Sequence, residues 1–270
     1  MANAVLNVGW FSSGKDEAAR QLLQVAHQAI KDGTVAVRIV FVFSNRERGE
    51  SRDSDLFLDL VQSYGLPLVT LSSARFPRGR PDWRLEYDRE VMRRLKAFSR
   101  DICLLAGYML IVGEEMCRKC DMVNLHPAAP GGPTGSWQEV IWELIRTRAR
   151  TSGVIMHLVT PELDRGPVAA YCTYSISGRK FTPAWREIAR SPIDEIRHVQ
   201  GASNLLFRLI RQEGLMREFS LILLTLAALS RGEVRISQGQ VVDSKGNPNL
   251  TRRVNRAIAA GGTLFPEVSV

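Results

Sequence analysis

The sequence predicts an α/β fold: a central, mostly parallel twisted sheet with helices on both faces, Rossmann-type in its N-terminal half, and a helical C-terminal extension. Three observations predict it. Short apolar runs recur between residues 5 and 125, and they are continuous rather than alternating, as in strands covered on both faces. Amphipathic stretches with helical spacing separate them, which is the pattern of βαβ units. The composition, 45% hydrophobic and 24% charged over 270 residues, is that of an ordinary globular chain long enough to bury a large core.

The elements follow in order. A first strand is expected at Val5–Phe11. A helix follows at Lys15–Lys31, where Leu22, Leu23, Ala26, Ala29 and Ile30 recur at helical spacing and Asp16 and Glu17 suit the positive N-terminal end. Val35–Phe43 reads as the second strand, Ser54–Tyr64 as the second helix and Leu66–Leu71 as the third strand. Tyr87, Val91, Leu95 and Phe98 give Trp83–Ser99 a helical stripe; Ile102–Leu105, Glu114–Cys120 and Met122–Leu125 continue as strand, helix and strand. Right-handed crossovers place the loops after these strands along one edge. Beyond Pro127, "PAAPGGPTG" is a loop and Trp137–Arg148 a helix, and the strands Gly153–Val159 and Val168–Ser175 flank "TPELDRG". Residues 178–192 read as an irregular, basic surface excursion. Pro192–Arg211 and Leu215–Arg231 read as two long helices, "GEVRISQGQVVDSKGNPN" as a hairpin and "LTRRVNRAIAA" as a closing helix.

A net charge of +8 favours anionic partners. The positive charges are scattered, with modest clusters at Arg75–Arg84, Arg146–Arg150 and Arg252–Arg256. Without interleaved aromatics they read as a solvated surface rather than a nucleic-acid footprint. The longest apolar run, Leu221–Leu229, is interrupted by Thr225 and falls far short of the roughly 20 residues that cross a bilayer. Four cysteines make no disulfide scaffold in a chain of this length, and "MANAVLNVGWF" lacks the marks of a secretory leader, so a cytoplasmic location is expected.

Gly9 through Lys15 spell G-x-x-x-x-G-K, the opening of a nucleoside-triphosphate loop. The hydroxyl that should follow the lysine and ligate magnesium is replaced by Asp16, which argues against that reading. A strand, a loop of Ser12, Ser13 and Gly14, and a helix N-terminus nonetheless offer backbone N–H groups to an anion, with Lys15 adding a charge. An ordinary serine-capped turn is the alternative.

"VNLHPAAPGG" is the more specific signal. Asn124 and His126 lie two apart at the end of an apolar strand, so their side chains share a face, and Asp164 follows in the tight loop of "HLVTPELDRGPV". The ordered set "LLAGYML", "VNLHP" and "ELDRGP", with "FSNRERGE" and "EYDREVMRRL" before it, resembles the formyltransferase family, and within it the enzymes acting on glycinamide ribonucleotide (GAR), over roughly residues 4–176. That stretch would be the catalytic domain, 1–176, with residues 177–270 as a helical extension packed on it.

The resemblance implies formyl transfer from 10-formyltetrahydrofolate to an amine without a metal, with Asn124, His126 and Asp164 as the catalytic trio. Asn124 and a protonated His126 would donate to the oxyanion of a tetrahedral intermediate; Asp164 would raise the proton affinity of the imidazole and relay the proton of the amine. It further implies that Ser12, Ser13, Gly14 and Lys15 hold the phosphate of the acceptor and Glu218 its ribose. Tyr108, Met109, Ile111 and Val112 would hold the folate pteridine and Arg84 the folate glutamate. The chain departs from the family where Leu110 replaces an arginine, where "AAPGG" follows the histidine and where Arg165 follows Asp164, and these leave the acceptor open. Small-molecule substrates are the expected partners, and a homodimer is kept open. Hydrolysis of the formyl-folate, formylation of another amine such as a nucleotide-linked amino sugar, and non-catalytic nucleotide or RNA binding are the rival readings. Cys117 and Cys120 form a C-x-x-C without a second pair, which argues against zinc. His27, His157 and His198 show no partner pattern and read as helix or strand residues, and Trp137 and Trp142 as packing or pocket-wall residues.

Overall fold

The computed structural model describes residues 5–237 and 239–246. The closing helix expected at 250–260 lies outside them. A seven-stranded sheet organises the chain. Its strands are β1 (Leu6–Phe11), β2 (Val37–Ser44), β3 (Leu68–Thr70), β4 (Ile102–Leu105), β5 (Met122–His126), β6 (Thr151–Leu158) and β7 (Val168–Ser175), in the spatial order β3-β2-β1-β4-β5-β6-β7. The first five pair in parallel, and β6 and β7 join antiparallel. The order reverses direction at β1, between β2 and β4, and the carboxyl ends of those strands open the crevice where open α/β sheets bind ligands.

Side-chain alternation splits the apolar residues into two layers. Val8 and Trp10 of β1 share one face with Leu22, Leu23 and Ala26 of α1 (Glu17–Lys31) and Phe57 and Val61 of α2 (Arg52–Ser63). Val140 and Ile145 of α5 (Trp137–Arg146) lie in that layer too. Phe11, Phe41 and Phe43 point to the other face, against Tyr87 and Val91 of α3 (Trp83–Arg94) and Met116 of α4 (Glu114–Lys119). Both faces are therefore covered, as continuous apolar strands require. The rings of Phe11 and Phe43 meet 5.1 Å apart, and Phe11 also meets Tyr108 edge-on at 5.6 Å.

The C-terminal region departs from the sequence expectation in two places. Residues 178–192 are not irregular throughout: α6 (Thr182–Ile188) forms there. Pro183 sits in its first turn, where no N–H is needed, while Phe181, Ala184 and Ile188 are buried and Trp185 donates its ring N–H to the Ile176 carbonyl at 2.7 Å. The two long helices are also broken elsewhere than expected. A short α7 (Ile193–Gln200) and a 3-10 turn come first. The 26-residue α8 (Leu205–Ser230) then runs without interruption, its start capped by Asn204, which accepts from the Phe207 N–H at 3.1 Å. Gly214, between the two expected helices, lies inside α8, where the Tyr174 hydroxyl leaves no room for a side chain; a Cβ there would stand 2.9 Å from that oxygen. Helix α8 rests on β6, β7 and α1 and so carries residues of the extension back to the sheet. The predicted hairpin is present as β8 (Val234–Ser237) and β9 (Gln240–Asp243). No helix among the described residues is long and apolar enough to cross a membrane.

Candidate active site

Register between β5 and β6 builds the centre of the site. Asn124 stands directly opposite His157 in this antiparallel pair, so both side chains project from the same face, and His126 projects from it as well. The Asn124 amide nitrogen lies 3.1 Å from His157 Nε2 and donates to Asp164 Oδ1 at 3.3 Å. Nδ1 of His157 lies 3.0 Å from the Leu158 carbonyl, which can only accept, so Nδ1 carries a proton. The Asn124 amide nitrogen thus already has two close neighbours, Asp164 Oδ1 and His157 Nε2. To donate to an oxyanion, Asn124 must exchange one of them.

Asp164 sits in the β6–β7 loop with φ of 54°, a left-handed conformation unusual for a residue with a side chain. Its Oδ2 accepts the Gly135 N–H at 3.0 Å and lies 3.5 Å from His126 Nδ1. Arg165, the next residue, reaches the Gly132 carbonyl at 3.3 Å, so the two loops brace one another. Burial pushes the Asp164 carboxyl up. The His157 hydrogen bond, the His126 ring and the Gly135 N–H outweigh it, and the group lies below the usual carboxylate range. His126 behaves otherwise than the sequence suggests. Burial dominates and lowers its pKa below 6.5, although Asp164 and the Pro133 carbonyl, 2.8 Å from Nε2, both act to raise it. The neutral ring is the favoured resting form.

The loop after β1 is built differently from an open anion cradle. Ser12 and Ser13 are fully buried. The Ser13 N–H donates to the Gly107 carbonyl at 2.9 Å, and its hydroxyl donates to Asn45 at 2.6 Å and accepts the Met109 N–H at 2.7 Å. Ser12 donates its N–H to the Phe43 carbonyl at 3.0 Å and accepts from Gly14 at 3.3 Å. Gly14 turns with φ of 57°. Asp16 then caps α1, accepting the Ala19 N–H at 3.0 Å and placing a carboxylate where an anion would otherwise approach. Of Ser12, Ser13, Gly14 and Lys15, only Lys15 lines the adjoining cavity.

That cavity, of about 350 Å³, is lined by Tyr108–Val112, by Asn124, His126, His157 and Asp164, and by Trp137, Arg211 and Glu218. Met109 and Ile111 are exposed at its edge, Tyr108 is half-buried, and the Val112 side chain is packed into the second core layer. The N–H and C=O of Leu110 and the N–H of Val112 find no hydrogen-bond partner among the described residues. An apolar wall with free backbone groups suits a flat heteroaromatic ring. Arg84 lies outside this cavity: it donates to the Ile111 carbonyl and stacks 4.4 Å over the Trp83 ring, bracing the 108–112 wall from behind. Glu218 and Arg211 share one face of α8, paired at 2.5 Å.

Asp88 braces the same wall, accepting the Gly113 N–H at 2.6 Å. It is only 3% exposed, and burial lifts its pKa from 3.8 to about 6 against the opposing pull of Gly113 and Arg84. Between pH 3.8 and about 6 the folded chain therefore holds a proton that the unfolded chain has released, so this group's contribution to stability falls as pH rises through that window. Asp88→Asn keeps an acceptor for Gly113. It is expected to raise stability near neutral pH by about 1–3 kcal/mol in urea unfolding, with the gain fading in acid. Equal stabilities at neutral pH would contradict the shift.

Residues 10–179 match the family model for formyl transferases. The chain belongs to the formyl transferase family. Within the family, the phosphoribosylglycinamide formyltransferase of Escherichia coli (strain K12) is 28% identical over 153 residues, covering 54% of this chain and 64% of that enzyme. The match thus spans somewhat less than two thirds of that relative. Among solved structures, the phosphoribosylglycinamide formyltransferase of Coxiella burnetii covers 90% of this chain and 95% of its own at 20% identity, with a TM-score of 0.66. A formyltetrahydrofolate deformylase from Pseudomonas putida KT2440 covers 90% of this chain and 71% of its own at 16% identity, with a TM-score of 0.61. Transferase and deformylase share this fold.

For this formyl transferase family member, the sequence brings Asn124, His126 and Asp164 to one place and misses His157, which stands among them. His157 has no local motif; only the register of β6 against β5 reveals it, and the single readable signal is a histidine within a strand that ends beside the Asp164 loop. Among the described residues, no group of three or more His, Cys, Asp or Glu side chains is arranged to hold a metal.

Proposed function

We propose that the chain transfers the formyl group of 10-formyltetrahydrofolate to the amine of GAR through a tetrahedral intermediate. The observation that carries this reading is the convergence of Asn124, His126, His157 and Asp164 in one cavity that the apolar 108–112 wall and Glu218 also line. The family match and the GAR-active relatives support it. The folate ring would lie on the 108–112 wall and present its formyl carbon to the polar centre.

Attack by the amine forms the new C–N bond and converts the carbonyl oxygen to an oxyanion; collapse breaks the bond to the folate nitrogen. The amine loses one proton overall, and the departing nitrogen gains one. His126, neutral at rest and bonded at Nε2 to Pro133, has Nδ1 available to take that proton, and Asp164 at 3.5 Å stabilises the imidazolium that results. Asn124 supplies an amide N–H to the oxyanion once its bond to His157 or Asp164 is exchanged. Incubating 10-formyltetrahydrofolate with GAR, with other amines or with buffer alone, and following folate release, tests the proposal. GAR-dependent release is expected. Release independent of any acceptor means a hydrolase, and no release by folded protein means a non-catalytic binder.

A further inference from the structure

We propose that Arg211 is the residue that reads the acceptor, its guanidinium taking the anionic group of a phosphorylated amine while it holds Glu218 in place to accept hydroxyls. This rests on the formyl-transfer reading. Ser12 and Ser13 are buried outside the cavity lining, with both N–H groups and the Ser13 hydroxyl bonded inside the fold, and Asp16 sets a carboxylate at the start of α1 among the cavity-lining residues. Phosphate binding there would face a like charge. Among the described residues lining the cavity, the lysines and arginines are Lys15 and Arg211.

The two cations differ in kind. Lys15 is exposed, a hydrated point charge on a flexible stem. The Arg211 side chain is 17% exposed, and its guanidinium lies 4.6 Å over the Trp137 ring, which itself packs on Phe207 at 5.7 Å. Trp137 opens α5 behind a complete capping box of Ser136 and Glu139, so the platform is fixed by a helix start. One of the five guanidinium donors is used by Glu218; the others have no partner among the described residues. A planar fork held by an aromatic face, with an unspent edge towards a cavity, is preorganised for a phosphate. The carboxylate of Glu218, two helical turns away on the same face of α8, is oriented by the same contact.

The test compares GAR with its dephosphorylated riboside in the wild type, Arg211→Met, Arg211→Lys and Lys15→Met, reading kcat/KM for each acceptor and calorimetric affinity for GAR. Arg211→Met is expected to lower the GAR-to-riboside preference about 10–100-fold, with lysine restoring only part because it lacks the fork. An equal loss on both acceptors would reduce Arg211 to a support for Glu218 and overturn the proposal. Collapse of the preference in Lys15→Met instead would return the phosphate to the β1 loop. If the wild type turns over neither acceptor, the function reading fails, and calorimetry still decides this one: GAR binding equal in wild type and Arg211→Met overturns it. Thermal melting checks each variant for folding.

Discussion

Replacing His126 with alanine is expected to lower turnover by about 10²–10⁴-fold, with a much smaller change in the KM for the folate. The ring is 3% exposed, anchored at Nε2 by the Pro133 carbonyl and faced at Nδ1 by Asp164, and in the proposed reaction it takes the proton of the amine. Its lowered pKa gives the wild type an acid limb with a definite sign. The neutral ring is the working form; it persists until pH drops below the usual histidine value of 6.5, and activity falls from there. Stability moves the same way, since a depressed pKa means that the unfolded chain binds the proton first and folding loses free energy as pH falls. The acid limb should disappear in His126→Ala. A variant with near-normal turnover and an unchanged pH profile would remove His126 from the chemistry.

Gly166→Ala is expected to be the most damaging single-methyl change in the site, costing more than about 3 kcal/mol of stability and lowering turnover by at least about 100-fold in whatever folds. A Cβ at Gly166 would stand 1.8 Å from the Leu158 carbonyl oxygen, an approach no real side chain makes. That oxygen is backbone and cannot step aside, because Leu158 is also tied to this loop by its N–H, which donates to the Pro167 carbonyl at 2.8 Å. Relief must come from the loop, and the loop carries Asp164. Urea unfolding and steady-state kinetics on the same preparation check both effects. Wild-type turnover with reduced stability would show that Asp164 is held by its partners rather than by the loop.

What was legible in the sequence was what local spacing determines. The strands and the helices between them follow from apolar runs and helical stripes, and Asn124 and His126 share a face because they are two apart on a strand. What was not legible depends on distant partners. His157 joins the centre only through antiparallel register, and a glycine inside α8 at Gly214 makes sense only once a tyrosine hydroxyl from β7 is seen to occupy the space of a side chain. The β1 loop looked free because its hydrogen-bond partners, Gly107 and Met109, lie almost a hundred residues downstream. Arg211 carries no motif at all, and the role proposed for it rests on a contact made only once α5 brings Trp137 beneath it.

The Ser13 hydroxyl joins three separate stretches: its own turn, Asn45 beyond β2, and the Met109 amide. One oxygen atom therefore acts as a rivet through both sides of the crevice. The surface proposed to grip the one-carbon donor cannot slide relative to the turn that opens α1 without shearing it, so that wall is set by the frame before a ligand arrives.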